Sequence, residues 1–155
     1  MVLKAFESDY NALIDIWDSA VSATHDFLSK EDFLFYKSQL TLYFNYVDLY
    51  IYKDENDLIK GFLGVSSDKI EMLFIDNKYR KLGIGKTLLR FAIDTLNISK
   101  VDVNEDNKQA FGFYKKYGFT QIGYSEFDSE GKPYPIIFME LKSVSYTHLR
   151  AHDTG

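Results

Sequence analysis

The sequence predicts an α+β (α/β) fold, a mixed sheet of seven strands with helices on both faces. Three observations predict it. Short runs rich in Val, Ile, Phe and Tyr recur along the chain, separated by clusters of turn-forming residues. Between them lie stretches with apolar side chains at helical spacing. Near the middle, a strand runs through a glycine turn into a helix and then into another strand.

Taken in order, residues 2–6 read as a first strand. Ser8 is then expected to cap a helix whose apolar face is Leu13, Trp17, Ala20 and Val21. Ser29, with Asp32 three residues on, resembles a capping box in which Asp stands for the usual Glu or Gln, and Phe33, Tyr36, Leu40 and Tyr43 continue at helical spacing. The two helices form a hairpin around residues 23–28. Residues 47–53 and 58–65 form two strands joined at Asp54-Glu55-Asn56-Asp57, and 69–76 is the next strand. Residues 83–96 form a helix with Ile84, Leu88, Ala92 and Leu96 on one stripe, followed by a strand at 100–103. A last helix, 107–117, is stopped by Gly118. Strands at 119–127 and 136–141 then pair across Asp128-Ser129-Glu130-Gly131.

Composition limits what such a chain can do. Its 155 residues suit one domain, and 46% hydrophobic and 17% aromatic residues with only 2 prolines indicate a packed core rather than disorder. With no cysteine, disulfides, thiolate metal sites and thiol nucleophiles are excluded. Nothing at the N-terminus reads as a signal peptide, and no apolar run approaches the roughly 18 residues of a membrane span, so a cytoplasmic location without membrane contact is the default expectation. A formal net charge of -5 disfavours nucleic acid as partner and points to a small or cationic one.

Residues 143–155 lack apolar periodicity that continues the preceding strand and resemble a translation of vector or adapter DNA, so the domain is placed at 1–142 and the tail is expected to be non-native or disordered. His148 and His152 in that tail have the spacing of two zinc ligands on one helix face, but the glutamate of an HExxH motif is missing, and no metal site is expected.

The glycine turn, Tyr79-Arg80-Lys81-Leu82-Gly83-Ile84-Gly85-Lys86-Thr87, carries the most chemistry. A phosphate-binding P-loop ending at Gly85-Lys86-Thr87 needs a glycine where Arg80 stands. A dinucleotide fingerprint needs its third glycine where Leu88 stands. What remains is Arg-x-x-Gly-x-Gly opening a helix. Backbone N–H groups point out of that first turn, glycine allows close approach, and the helix dipole favours an anion.

This loop after the fourth strand, together with Asn107-x-x-Ala110-x-x-x-Tyr114-x-x-x-Gly118-Phe119 after the fifth, resembles the GNAT acyl-CoA-dependent N-acetyltransferases over nearly all of residues 1–142. More narrowly, residues 23–28 and 131–135 look like a bacterial branch described as YjaB-like, similar to peptidyl-lysine acetyltransferases. The resemblance implies a GNAT-type, mainly antiparallel sheet with splayed fourth and fifth strands, and acetyl-CoA as cosubstrate without a metal. It further implies a pyrophosphate held by N–H groups from Leu82 to Lys86, with Ile84 and Gly85 between them and Lys81 beside them. A pantetheine arm would pair with backbone near Leu73, Phe74 and Ile75, and Asn107 would touch the cofactor. Arg80 and Lys86 add positive charge beside the phosphates.

The implied reaction is attack by a neutral amine on a thioester. Tyr114 matches the family's general acid, and its phenol is protonated at neutral pH. Tyr117 reads as packing. For the base, Glu71 on the fourth strand, His25 between the first two helices and Asp102 on the fifth strand stay open. Tyr134 and Asp26 are candidates for shaping the acceptor pocket. The expected partners are acetyl-CoA and a small amine or lysine side chain, in a monomer or homodimer. The alternative is a catalytically silent acyl-CoA-binding module, which would need the loop but not Tyr114, Glu71 or His25.

Overall fold

The computed structural model describes residues 1–142, and the expectations for 143–155, including the His148 and His152 pair, lie outside the described residues. The chain divides into two units, Met1–Ile98 and a second that begins at Ser99.

In the first unit, β1 (Val2–Lys4) leads through a 3-10 turn at Glu7–Asp9 into α1 (Tyr10–Thr24), followed by α2 (Lys30–Phe44), β2 (Asp48–Lys53), β3 (Ile59–Ser66), β4 (Lys69–Ile75), a 3-10 turn at Asn77–Tyr79 and α3 (Ile84–Asp94). Ser8 does not cap α1 as the sequence suggests. It lies inside the 3-10 turn, and the side chain that closes the entry is Asp9, whose Oδ2 accepts from the Phe6 N–H at 2.8 Å. Ser29 does cap α2, its Oγ accepting from the Asp32 N–H at 3.1 Å. The four strands pair antiparallel in the order β1-β2-β3-β4.

Strand alternation sends the side chains of this sheet to two different helix layers. Ile51, Phe62 and Phe74 stand opposite one another in the register and pack with Leu13, Ile16, Trp17 and Val21 of α1 and Leu40 and Phe44 of α2. On the other face, the Tyr50 ring meets Phe91 of α3 with centroids 5.0 Å apart. Gly61 is what lets α3 sit so close. A Cβ there would lie 2.7 Å from Ile75 Cδ1, 3.1 Å from the Phe74 carbonyl oxygen and 3.3 Å from Ile84 Cγ2, so an alanine would require the Ile75 and Ile84 side chains to shift. Helices thus cover both faces, as the sequence predicts.

The second unit comprises β5 (Lys100–Asn104), α4 (Lys108–Lys116), β6 (Phe119–Ser125) and β7 (Ile136–Leu141), its strands antiparallel in the order β5-β7-β6. Val101 faces Met139 and Val103 faces Ile137, and all four are buried. Gly118, at φ 100°, makes the left-handed turn that ends α4 and starts β6. Among the described residues, the seven strands and four α-helices fall in the predicted order, with boundaries that differ by at most two residues.

Candidate active site

The glycine loop is built by the turn in front of it. Asp76 Oδ1 accepts from the Lys78 N–H at 3.0 Å, and the Tyr79 N–H returns to the Asp76 carbonyl at 2.8 Å, so the chain leaves β4 in a fixed direction. Arg80 is extended and its Nη1 reaches Asn77 Oδ1 at 3.4 Å. Lys81 (φ 64°) and Gly83 (φ 87°) are then left-handed, after which α3 begins. Alternating hand in successive residues turns neighbouring N–H groups to one side, a concavity suited to an anion. Among the described residues, no protein acceptor takes the N–H of Lys81 through Lys86. Nothing lies within 4 Å of where a Gly83 Cβ would be, which leaves that side open. Lys86 is exposed beside it. Thr87 turns back, its Oγ1 donating to the Gly83 carbonyl at 2.9 Å, so that hydroxyl is engaged within the first turn of the helix.

The strand feeding this loop is irregular where it carries a carboxylate. Gly64 pairs with Met72 and Val65 with Ile70, which leaves Glu71 as the extra residue of a β-bulge. Its carboxylate is exposed and accepts from Ser66 Oγ at 2.6 Å. Leu73, Phe74 and Ile75 are half-buried and pair with Leu63, Phe62 and Gly61 of β3.

His25 follows the last residue of α1. Its backbone N–H donates to the Val21 carbonyl at 2.8 Å, its ring centroid is 5.1 Å from that of Phe27, and its Nδ1 is 2.8 Å from Thr24 Oγ1. Burial lowers its pKa to about 4, against the opposing charge of Asp26, so the imidazole is neutral at physiological pH. The two base candidates of this unit therefore differ: Glu71 is an open carboxylate on a bulge, His25 a desolvated neutral ring.

In the second unit, Asn107 caps α4, its Oδ1 accepting from the Ala110 N–H at 3.1 Å. Two turns on, the Tyr114 ring is packed edge-on against Phe113 and Phe119, with centroids at 5.2 and 5.6 Å. No hydrogen bond to its hydroxyl occurs within the described residues, and no side-chain polar atom there is both sealed from solvent and unpartnered. The ring is thus held while the hydroxyl keeps some access. Burial raises the phenol well above its ordinary value near 10, which keeps it protonated. Asp102 lies between Val101 and Val103 and so faces away from the sheet side that buries them. Tyr117 has its ring 5.2 Å from Phe113 and is a packing residue. Tyr134 sits in the loop before β7, its N–H bonded to the Lys132 carbonyl at 2.8 Å.

Sequence reasoning missed Ser19, Thr24, Ser66 and Gly61. Thr24 and Ser66 had a local signal, a hydroxyl beside each base candidate on its own helix end or hairpin. Ser19 and Gly61 act through contacts distant in sequence, which no local pattern announces.

No group of three or more His, Asp or Glu that would suit a metal ion occurs among the described residues, and no described helix is long and apolar enough to cross a membrane. Residues 22–142 match the Acetyltransferase (GNAT) domain family. A relative, the peptidyl-lysine N-acetyltransferase YjaB of Escherichia coli, is 39% identical over 125 residues, 81% of this chain and 85% of that protein. The solution structure of apo YjaB from Escherichia coli superposes with a TM-score of 0.84 at 35% identity, covering 90% of this chain and 95% of that one. A Bacillus anthracis structure, solved as a candidate streptothricin acetyltransferase in complex with acetyl coenzyme A, matches 61% of each chain with a TM-score of 0.52 at 26% identity.

Proposed function

The chain belongs to the GNAT family of N-acetyltransferases, enzymes that move an acetyl group from acetyl-CoA to an amine, and from that premise we propose that its acceptor is the side chain of a protein lysine. The name of the YjaB relative supports that acceptor class. The observation that carries the reading is the loop itself: a run of backbone N–H groups from Lys81 to Lys86 without protein acceptors, turned by left-handed Lys81 and Gly83, at the start of a helix. A pyrophosphate fits that donor set, with Arg80 and Lys86 adding charge and no metal required. Asn107 would contribute its amide to the same cosubstrate, and residues 73–75 of β4 would pair with its pantetheine arm.

Acetyl-CoA supplies the electrophile, a thioester carbonyl. The acceptor arrives as an ammonium with a pKa near 10.4 and must lose a proton before it attacks. Glu71 and His25 are the groups of this chain set to receive that proton, directly or through water. As the amine nitrogen bonds the carbonyl carbon, a backbone N–H within residues 73–75 stabilises the oxyanion. The carbon–sulfur bond then breaks, the sulfur leaves with the electron pair, and Tyr114 gives it a proton or a hydrogen bond. Because a thiol has a pKa near 8.5 and the buried phenol lies above 10, Tyr114 acts best by donating a hydrogen bond while charge builds on sulfur. The nitrogen gives up its second proton as the adduct collapses and the thiolate takes one up, so the products are an acetamide and the free thiol of coenzyme A.

The reading further takes residues 1–142 as the acetyltransferase domain, without the tail, working in the cytoplasm as a monomer or homodimer. Incubation with acetyl-CoA and a panel of lysine peptides, polyamines and small amines, followed through free thiol, tests it. Turnover with peptides above the small amines is expected. Preference for a small amine would overturn the lysine assignment, and failure with all of them would overturn the choice of acceptor class.

A further inference from the structure

Lys60, near the start of β3, meets the approach to the glycine loop twice. Its carbonyl accepts from the Asp76 N–H at 2.9 Å, and its Nζ lies over the Tyr79 ring, 4.5 Å from the centroid. The ammonium is placed by the hairpin turn between β2 and β3. Asp54 Oδ1 takes the N–H groups of Asn56 and Leu58 at 2.8 and 2.9 Å, which fixes the carboxylate in that turn, and its Oδ2 then holds Lys60 Nζ at 3.2 Å. Both side chains are largely covered, at 20% and 13% exposure, so water screens this pair less than an open surface pair. A cation held at that distance over a tyrosine face is attracted by the ring quadrupole.

Tyr79 is where the direction of the chain into the loop is set, and the backbone alone holds it loosely. The Tyr79 N–H returns to the Asp76 carbonyl, but the next closure, from the Arg80 N–H to the Asn77 carbonyl, is 3.5 Å long, and Arg80 Nη1 to Asn77 Oδ1 is 3.4 Å. Both are at the weak end of hydrogen bonding. We propose that Lys60 is a positioning residue for the cosubstrate: it clamps the Tyr79 ring to the β2–β3 hairpin and so fixes the angle at which Arg80 and the left-handed Lys81 and Gly83 present the N–H groups of the loop. The clamp follows from the contacts of Asp54, Lys60 and Tyr79, while its consequence for acetyl-CoA rests on the reading of the loop given above. Lys60 acts through Tyr79, its own charge being engaged by Asp54.

The test is the Kd of acetyl-CoA by calorimetry, with Tm beside it, in the full-length chain and its variants. Lys60→Met keeps an unbranched stem and removes the charge, and should weaken acetyl-CoA about fivefold, as loss of a cation–π contact does, with kcat at saturating acetyl-CoA unchanged. Lys60→Arg, which keeps a cation over the ring, should bind as the parent does. Tyr79→Leu should weaken binding as Lys60→Met does, and the double variant should be no weaker than Tyr79→Leu alone, because the two residues act as a unit. Losses that multiply would mean that Lys60 acts on the cosubstrate directly, and would overturn the proposal. An unchanged Kd in Lys60→Met, whatever its Tm, would also overturn it, since the clamp would then serve stability only. Failure of Lys60→Arg to restore binding would overturn the part given to the cation. A parent that does not bind acetyl-CoA would overturn the reading of the loop and the role of Lys60 with it, and the same double-variant comparison made on Tm would still decide whether Lys60 and Tyr79 are coupled.

Discussion

Ser19 Oγ donates to Asp76 Oδ1 at 3.2 Å and accepts from the Asn77 N–H at 3.0 Å, which fastens the middle of α1 to the turn leading into the glycine loop. The same Asp76 oxygen holds the Lys78 N–H. One carboxylate therefore sets both the shape of the turn and its attachment to the helix that ends in Thr24 and His25.

Ser19→Ala should accordingly weaken the loop rather than the chemistry. Losing two hydrogen bonds at a half-buried site should cost about 1–2 kcal/mol, which is a drop of several degrees in Tm for a chain of this size. KM for acetyl-CoA should rise several-fold while kcat holds. Unchanged KM and Tm would mean that the loop keeps its shape without this attachment.

Acetyl-CoA should raise Tm, because a ligand selective for the native state stabilises it by mass action, by about 2.7 kcal/mol at a hundredfold excess over Kd. Gly83→Asp puts a negative charge beside the proposed pyrophosphate, and Gly83→Ala puts only a methyl group there. Since nothing lies within 4 Å of that Cβ direction, neither side chain clashes, and both share the cost of a left-handed backbone. The alanine variant should melt lower yet still respond to acetyl-CoA, whereas the aspartate variant should lose the response. Equal responses from the two would remove the pyrophosphate from this loop.

Much of this fold was legible because local patterns and tertiary packing agree. The alternation of β2, β3 and β4 placed Ile51, Phe62 and Phe74 on one face, and the spacing of Leu13, Trp17, Ala20 and Val21 gave the buried stripe of α1. The glycine loop was legible for the same reason, since its left-handed turn into α3 is written in contiguous residues. Ser8 misled because the competing cap, Asp9, lies one residue later and bonds backwards to Phe6. The bulge at Glu71 could not be read, because a register slip depends on the partner strand, here on Gly64 and Val65. Nor could the environment of His25, which depends on its burial and on the Thr24 hydroxyl beside its ring.

Activity and coenzyme A binding should survive a chelator and removal of residues 143–155. The measurement is turnover and the acetyl-CoA shift in Tm, with and without chelator, in the full and shortened chains. Activity lost on chelation would return attention to His148 and His152.

The depressed pKa of His25 carries a stability consequence whose sign is fixed. The folded chain keeps this ring neutral down to about pH 4, whereas in the unfolded chain it takes a proton below about 6.5. The unfolded state therefore binds more protons in that window. Stability contributed by the neutral ring is fully present above pH 6.5 and is lost as pH falls from there toward 4, by at most about 1.4 kcal/mol per pH unit. His25→Gln should flatten the fall of Tm between pH 7 and pH 5 relative to the parent. Parallel curves would mean that the ring charges freely in the folded protein.

Tyr114→Phe bears on the chemistry most directly. The ring is held by Phe113 and Phe119, and the hydroxyl makes no hydrogen bond within the described residues, so its removal leaves the packing intact and stability close to the parent's. If the phenol supports the departing sulfur, acetyl-CoA affinity should persist while kcat falls by roughly 10²–10⁴-fold, the range for a general acid. Glu71→Gln, measured beside it, separates the two base candidates. If the bulge carboxylate takes the amine's proton, this variant loses the acidic limb of the kcat/KM profile and His25→Gln keeps it; if the imidazole does, the outcomes exchange. Retained limbs in both would assign proton removal to water or to Asp102. Because Tyr114→Phe changes no charge and no packing contact, undiminished turnover would leave no route by which Tyr114 acts on the sulfur, and the acid would have to be sought elsewhere in the chain.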